Sequence, residues 1–387
     1  MVQFTTKHIF SIPTIIEIII IILLFLISKI FTIILLIISI AAKFLLKGEP
    51  PTKTLTKSMK SIIYYPDSKS SMGQHTQPLP NISKHQVLVL IKAASINPVD
   101  YKVNPCLFPF IRWFISFTVA RDFAGVVIET GSSIIHFKEG DKVYGCAESG
   151  ALAEYAVCNE NKIAKIPDNI SFTDIVGVAL AGSTALQSLL WFYRKEELPT
   201  KKVLVIGGSG GVGSQALQIL KYYNTQLVNG ECSGRNEEYV SSMCDKVISY
   251  NKNISIQIGE EKFDLIFDTV TSKDDVNQRE IFQSYLNNDG KYVQINGEVF
   301  PFARGIFATY ISRSCNIEEK NFHLHLLEWN RSDLEELAKM VEDSKLTIRN
   351  EIVKFSEDEV IKGFDRLKSR RTVGKIVFDM ESDMIQY

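Results

Sequence analysis

Hydrophobic residues are distributed unevenly along this 387-residue chain. Residues 15–46 are almost wholly apolar, with charges at Glu17, Lys29 and Lys43. A helix that spans a bilayer needs about 20 apolar residues, and Ile18–Ile40 provides that length. Lys29, near the middle, costs about 3 kcal/mol on insertion scales, which is less than the surrounding Ile, Leu and Phe residues contribute. The pattern predicts a transmembrane helix near the amino terminus.

Other interpretations of this segment fit less well. The apolar core of a cleaved signal peptide is about 7–15 residues long, although Ala41-Ala42 resembles a small-residue cleavage site. A mitochondrial presequence is rich in arginine, whereas the first arginine here is Arg112. A buried globular helix is seldom apolar on every face. A helical hairpin broken at Ser28-Lys29 lacks the Gly or Pro that would mark the bend.

Lysines flank the apolar segment asymmetrically. Lys7 alone precedes it, and five lysines follow it: Lys43, Lys47, Lys53, Lys57 and Lys60. Because positive charge is retained on the cytoplasmic side, we expect a single-pass membrane protein whose folded part faces the cytosol. Paired prolines in residues 48–52 oppose helix and interior strand, which indicates a linker. Residues 1–52 are therefore assigned to the anchor and linker.

Short β-rich runs separated by turns dominate residues 53–178. Runs of this kind, bounded by turn signals such as Glu139-Gly140-Asp141, predict strands. The runs are Ser61–Tyr65, Gln86–Ala93, Gly125–Glu129, Lys142–Gly145 and Ala153–Val157. This region is interpreted as a β-rich domain.

Strands and helices alternate in residues 179–329, which predicts a parallel sheet covered by helices on both faces. The predicted helices are Asp174–Tyr193, which begins before residue 179, Val212–Tyr223 and Glu237–Met243. The predicted strands are Lys202–Ile206, Gln226–Gly230, Phe263–Asp268 and Lys291–Ile295. After them, Leu334–Val341 predicts an amphipathic helix and Lys375–Phe378 a strand. We expect residues of about 330–387 to complete the first domain.

A glycine-rich turn follows a buried strand and precedes a helix. Residues 202–206 read as the strand, and the turn that follows contains Gly207, Ser209, Gly210, Gly211, Val212 and Gly213. In that context, glycines let the backbone approach a pyrophosphate, which then lies on the helix amino terminus. The turn therefore predicts a dinucleotide site.

The end of the second strand of this unit bears on the choice of dinucleotide. An NAD site expects an acidic residue about 20 residues after the turn, and Glu231 keeps that interpretation open. Ser233 and Arg235 follow, and a hydroxyl with a fixed cation suits a 2′-phosphate. A strand alternates its faces, so Glu231 is able to point away from the ribose. We favour NADPH.

These motifs together resemble the medium-chain dehydrogenase/reductase superfamily, in its zinc-free quinone oxidoreductase branch. The resemblance covers residues of about 57–380 and rests on motifs in the family's order: Ala93–Lys102, Arg121–Val127, Gly140–Gly145, Ala181–Ala185, Val203–Gly213, Phe263–Asp268 and Arg371–Val377. The anchor lies outside it. Membrane-associated fungal members and reticulon-interacting members are similar in this respect, although no motif of the anchor carries that likeness.

The resemblance implies a GroES-like catalytic domain, a Rossmann cofactor domain and an active-site cleft between them. Asn97 or Asp100 stands in the region where zinc-containing relatives place a cysteine ligand. Asn97 and Lys102 are candidates for polarising a carbonyl, and Tyr101 for supplying a proton. An Asn before Pro also forms turns, and Asp100 is also able to brace the loop. Thr184 lies in the segment that backs the nicotinamide, and Tyr250 is added to the cofactor residues.

Charge and cysteine content narrow the function classes. The chain has 43 Lys and Arg against 44 Asp and Glu, so nothing favours nucleic-acid binding. Six scattered cysteines without a C-x-x-C pair oppose a disulfide framework or a four-cysteine zinc site. His323-x-His325 lacks a third ligand in sequence. No metal is expected.

Two function hypotheses remain. The first is a zinc-independent, NADPH-dependent oxidoreductase that transfers hydride to a lipophilic quinone or activated enone at a membrane. The second is a membrane-bound adaptor in trafficking that retains the reductase fold without catalysis, because fold alone does not define function. The intact glycine turn favours the first. Dimers are common in the family, so a homodimer is a further expectation.

Overall fold

The structure, a computed structural model, describes residues 58–64, 72–102, 117–270, 278–295 and 322–380. The chain divides into two compact units, Met1–Thr54 and Leu55–Tyr387, and every described residue belongs to the second. The predicted transmembrane helix, 18–40, lies outside the described residues. Within them, the helical stretch Phe172–Leu189 is long and apolar enough to span a membrane, but 72% of it is buried in the folded unit. That burial is typical of a core helix.

The described residues form strands in three sheets. The first half contains β1 (Ser58–Tyr64), β2 (Met72–Pro78), β3 (Gln86–Ile96), β4 (Phe117–Thr118), β5 (Asp122–Thr130), β6 (Lys142–Cys146), β7 (Tyr155–Asn159) and β8 (Ile163–Lys165). The second half contains β9 (Lys202–Ile206), β10 (Leu227–Cys232), β11 (Lys246–Ser249), β12 (Phe263–Asp268), β13 (Leu286–Gln294), β14 (Phe322–Leu324), β15 (Asn350–Lys354) and β16 (Lys375–Asp379).

Short helices connect these strands. In the described residues they are α1 (Pro98–Lys102), α2 (Phe172–Ile175), α3 (Ala179–Leu189), α4 (Gly211–Tyr222), α5 (Glu237–Ser241), α6 (Ile254–Ile258), α7 (Gln278–Phe282), α8 (Arg331–Glu342) and α9 (Glu357–Lys368).

The β-rich part contains a small sheet, β2-β1-β4, and a larger sheet in the order β15-β16-β3-β5-β6-β8, with β7 also paired to β3. Most of β3 is buried, as expected of a central strand with partners on both sides. The chain returns to this sheet at its end, because β16 pairs antiparallel with β3. Both sheets and the helix α9 pack around one apolar core.

The second large sheet is parallel and has the order β11-β10-β9-β12-β13-β14. This is the doubly wound order. The first strand, β9, lies in the middle, β10 and β11 are added on one side of it, and β12, β13 and β14 are added on the other side. Ligands of such sheets bind at the carboxyl ends of the strands beside that reversal of the strand order. The α/β fold with a GroES-like part and a parallel Rossmann sheet is therefore confirmed, and the domain limits 53–178 and 179–329 stay predictions.

Three expectations about elements need correction. The helix expected over 174–193 is broken, because Gln215 Nε2 donates to the carbonyl of Gly177 at 2.9 Å and a 3-10 turn separates α2 from α3. The strand β10 continues to Cys232, two residues beyond the expected end, through pairing with β9 and β11. The sequence analysis missed α9, although Ser356 caps it by accepting from the N–H of Glu359 at 3.3 Å.

Candidate functional site: a dinucleotide cleft with a buried polar corner

The glycine turn connects β9 to α4 and lies beside the chain reversal. Gly207 has φ +83°, a conformation that favours glycine. A Cβ atom on Gly213 would lie 2.2 Å from the carbonyl oxygen of Gly207, so only glycine allows α4 to pack this closely on the strand. The remaining predicted residues of the turn line a cleft of about 740 Å³: Gly207, Ser209, Gly210, Gly211 and Val212. Gly213 packs behind that lining.

Glu231 is hydrogen-bonded to the backbone of the glycine turn. Its Oε2 accepts a hydrogen bond from the N–H of Gly207 at 2.9 Å, and its backbone oxygen accepts from Gly208 at 2.7 Å. The side chain is only 3% exposed. Burial raises the pKa of Glu231 to about 7, the Gly207 hydrogen bond opposes that rise, and the nearby charge of Asp268 adds to it. The carboxyl therefore braces the turn through Oε2, although the residue also lines the cleft.

Beyond Glu231, the cleft offers groups that suit a phosphate. Ser233 is buried, and its Oγ has no hydrogen-bond partner among the described residues. Arg235 is exposed and lines the same cleft, as do Tyr250 and Thr184. Thr184 donates from Oγ1 to the carbonyl of Leu180 at 2.7 Å, which fixes its side chain on α3. An orphaned buried hydroxyl beside a cation is what a 2′-phosphate would satisfy.

Three buried side chains form a polar corner: Asn97, Asp122 and Lys375. Asn97 and Lys375 line another part of the cleft. Asn97 donates from Nδ2 to Asp122 Oδ2 at 2.8 Å, and its Oδ1 accepts from the ammonium of Lys375. That ammonium also donates to Asp122 Oδ2 and to the carbonyl of Ile96, each at 3.3 Å. Asp122 Oδ1 accepts from the N–H of Leu180 at 3.1 Å. The corner therefore joins β3, β5, β16 and α3.

Asp100 contacts the backbone of Asn97, a member of the polar corner. Its Oδ2 accepts from the N–H of Asn97 at 2.7 Å, and its own N–H donates to the carbonyl of Asn97 at 3.0 Å. Burial raises the pKa of Asp100 to about 7, opposed by the Asn97 hydrogen bond and increased by the charge of Asp122. Burial also raises the pKa of Asp122, while Lys375 and Asn97 oppose the rise. These contacts are those of a residue that braces the loop, and the catalytic role of Asp100 stays a prediction.

The remaining two predicted catalytic residues lie on α1. Tyr101 is partly exposed and lines the cleft. Burial raises the pKa of its phenol above 10.0, with the charge of Arg370 opposing the rise, so the group carries its proton at neutral pH. Lys102 ends the helix, and its side chain lies outside the described residues. Tyr101 is thus the member of this pair that the structure places in the cleft.

Sequence reasoning missed three residues of the site: Lys375 and His325, which line the cleft, and Asp122, which is hydrogen-bonded to Asn97 and Lys375. Asp122 and Lys375 both lie inside motifs that carried the family resemblance, but a motif does not show which side chains meet. His325 follows β14 and lines the cleft. It was considered only with His323 as a metal pair. The described residues contain no group of three or more His, Cys, Asp and Glu able to hold a metal ion.

The donor set at the polar corner does not fit zinc. Zinc in proteins binds thiolate, imidazole and carboxylate ligands, whereas the corner contains an amide, a carboxylate and an ammonium group. Cys146 pairs with Asp122 across the sheet, and burial raises the pKa of its thiol to about 12. The cation of the corner is Lys375.

Comparison with known proteins agrees with this geometry. An alcohol dehydrogenase GroES-like domain matches residues 83–168, and a zinc-binding dehydrogenase domain matches residues 244–378. The 2-methylene-furan-3-one reductase of Solanum lycopersicum is 30% identical over 311 residues, which are 77% of this chain and 73% of that protein. The chloroplastic NADPH-dependent alkenal/one oxidoreductase of Arabidopsis thaliana is 34% identical over 234 residues, 58% of each chain. 

A solved structure shows the same architecture. The quinone oxidoreductase from Coxiella burnetii matches with a TM-score of 0.71 and 27% identity, covering 84% of this chain and 100% of that one. The chain therefore belongs to the medium-chain dehydrogenase/reductase superfamily, in its quinone oxidoreductase branch.

Proposed function

We propose that this protein is an NADPH-dependent oxidoreductase that reduces quinones or activated enones without zinc, next to a membrane. The observation that carries the proposal is the buried Asn97–Asp122–Lys375 corner, whose members Asn97 and Lys375 line the same cleft as the glycine turn. Relatives named for NADPH-dependent reduction of alkenals and enones support the same class of reaction.

The cofactor supplies the hydride, and this chain supplies its position. The amino terminus of α4 and the backbone of the glycine turn receive the pyrophosphate. Ser233 and Arg235 hold the 2′-phosphate, because they offer a hydroxyl and a fixed cation at the end of β10. Glu231 accepts from Gly207 through Oε2, so part of the carboxylate that an NAD ribose would use is already engaged.

The polar corner organises the acceptor's end of the cleft. All three donor positions of the Lys375 ammonium are taken by oxygens of Asn97, Asp122 and Ile96. Lys375 therefore positions the amide of Asn97, whose Nδ2 has a second N–H beyond the one given to Asp122. Asn97 is the group that faces the acceptor, and Tyr101 is the nearby proton donor.

Zinc is not needed in this arrangement, since the corner already holds a cation and lacks thiolate or imidazole ligands. The apolar segment 18–40 supports attachment to a membrane, with the catalytic part in the cytosol. Lipophilic quinones and enones partition into such a membrane, which supports a substrate of this class. We also propose a homodimer, and the support for it is that dimers are common in the family.

The test is NADPH oxidation by the full-length protein in detergent micelles, with a panel of quinones and α,β-unsaturated ketones. We expect turnover with at least one acceptor, unchanged after exhaustive dialysis against a chelator. A folded protein that binds NADPH and reduces nothing on the panel would favour the adaptor hypothesis. Activity that a chelator abolishes and zinc restores would contradict the metal-free reaction. Carbonate extraction of membranes tests the anchor separately.

A further inference from the structure

A buried histidine whose ring nitrogens have no hydrogen-bond partner among the described residues lines the cleft. His325 is 4% exposed, and its backbone N–H donates to Gln294 at 2.8 Å, which extends the pairing of β14 with β13 by one residue. Neither Nδ1 nor Nε2 has a hydrogen-bond partner among the described residues. Buried polar groups are nearly always paired. The imidazole therefore leaves a donor and an acceptor unused at the edge of the cleft.

The surroundings of this imidazole are apolar and aromatic. Trp191 meets it edge-on, with ring centroids 5.9 Å apart, and the ring of His323 lies at 5.8 Å. Leu326, Leu327 and Ile295 line the adjoining part of the cleft. Burial lowers the pKa of His325 to about 4. At neutral pH the ring is thus uncharged, with one N–H donor and one free nitrogen.

The order of strands places His325 at the reacting end of the cleft. Ser233 and Arg235, proposed to hold the 2′-phosphate, follow β10, and the glycine turn follows β9. The strands β12, β13 and β14 lie on the other side of β9 from β10. Neighbouring strands lie about 4.8 Å apart, so the end of β14 is about 14 Å from the end of β9. A dinucleotide held at β10 and β9 extends its nicotinamide toward β12–β14.

We propose that His325 binds the carbonyl oxygen of the acceptor through its neutral imidazole N–H, an inference that rests on the proposed reductase function. As hydride adds to the β-carbon of an enone, the electron pair of the C=C bond forms a double bond between the α-carbon and the carbonyl carbon. The π electrons of the C=O bond move to the oxygen, which yields an enolate. The N–H of His325 stabilises the negative oxygen without giving up its proton. Tyr101, the proposed proton donor, then protonates the α-carbon and regains a proton from water, and the cofactor leaves as NADP⁺. The expected substrate class is a small apolar enone or quinone, since a single donor lies in an apolar wall.

The first experiment compares His325→Phe with His325→Gln in the full-length protein. The phenylalanine keeps a buried ring and removes the donor, whereas the glutamine keeps an N–H. We expect kcat/KM for cyclohexenone to fall about 10- to 100-fold in H325F, with recovery to within about fivefold in H325Q and the NADPH dissociation constant unchanged in both. His323→Phe is the matched control, because His323 stacks on Trp191 at 3.9 Å and does not line the cleft.

The second experiment needs no turnover. Cyclohexanone is titrated into the protein saturated with NADP⁺, and binding is followed through tryptophan fluorescence, since Trp191 touches the His325 ring. We expect H325F to weaken binding at least fivefold and H325Q to restore most of it. A folded H325F with unchanged kcat/KM and ketone binding overturns the inference, and so does a loss that appears only in the NADPH dissociation constant. Ketone binding that depends on His325, in a protein that reduces no acceptor, overturns the proposed reaction and leaves the carbonyl site standing.

Discussion

Lys375 Nζ lies 3.3 Å from Asp122 Oδ2, and the two side chains are 4% and 0% exposed. The pair is fully hydrogen-bonded, because Asn97, Ile96 and Leu180 complete the set of donors and acceptors. A buried pair of this kind adds little net stability over an apolar replacement, but removing one partner leaves an uncompensated charge. The corner is therefore a position where single and double substitutions have very different effects.

We expect Lys375→Met to lower the free energy of unfolding by about 3–5 kcal/mol, because the buried carboxyl of Asp122 would lose the cation that compensates it. The double variant Lys375→Met with Asp122→Asn should recover at least half of that loss. Urea unfolding measures both. Lys165→Met, which breaks the more exposed pair with Asp141 at 2.9 Å, is the control and should change stability little. A double variant as unstable as the single one would contradict the ion-pair account.

Arg235→Ala should weaken NADPH binding about 10- to 100-fold, because a charge-assisted hydrogen bond to the 2′-phosphate is lost. NADH binding should not change, since NADH lacks that phosphate. Isothermal titration with both cofactors measures the effect. Arg194→Ala removes an exposed arginine that pairs with Glu197 outside the cleft, and it should leave both affinities unchanged. Equal affinity of the unsubstituted protein for NADPH and NADH would place the discriminating contact elsewhere.

Asn97→Ala should lower kcat about 10- to 1000-fold, the range for loss of one electrostatic donor, and should leave the NADPH dissociation constant unchanged. It also leaves Lys375 and Asp122 each short of a partner, so the melting temperature should fall as well. Asn97→Ser, which keeps a hydroxyl, separates the effects through kcat measured well below the melting temperature. Full activity in a folded N97A would show that Asn97 only forms a turn.

Glu231 should make stability depend on pH between about 4.5 and 7. Its pKa is raised from 4.5 to about 7 by burial, so the folded state holds a proton that the unfolded chain has already released. Stability is therefore present at low pH and is lost as pH rises through about 7. The buried Asp268, whose pKa burial raises to about 6, titrates beside it.

We expect Glu231→Gln, which keeps an acceptor for Gly207, to be more stable than the unsubstituted protein at pH 8 by about 2–3 kcal/mol. The two proteins should be nearly equal at pH 4.5. Thermal unfolding across that pH range measures the difference. An identical pH dependence in both proteins would show that Glu231 is already ionised in the folded state.

Local patterns were enough to predict much of the cofactor half of the molecule. The strand 202–206 matches β9, and the helix expected from Val212 begins one residue earlier, at Gly211. These elements depend on neighbours in sequence: a buried apolar run, a glycine turn and an amphipathic helix. The confirmed Rossmann sheet follows from their alternation.

The polar corner needs contacts that no local pattern contains. Asn97 and Lys375 are 278 residues apart and meet only after β16 pairs with β3. Lys102 was named as a candidate because it is near Asn97 in sequence, and Lys375 was not considered, since proximity in sequence says little about proximity across a sheet. His325 was similarly hidden, since a single histidine after a short strand shows its importance only when its partners can be inspected.

Two parts of the molecule meet at the peptide between Gly374 and Lys375. The N–H of Gly374 donates to the carbonyl of Ser209 in the glycine turn at 3.0 Å, and the Lys375 side chain ends at Asn97 and Asp122. A Cβ atom on Gly374 would lie 2.0 Å from the carbonyl oxygen of Arg349, where φ is already +69°. Adjacent Cα atoms are about 3.8 Å apart. This peptide therefore connects the glycine turn, which binds the phosphates in the proposed function, directly to the polar corner. Substitutions of Gly374 should therefore weaken cofactor binding and lower turnover together, although Gly374 is not proposed to take part in the reaction.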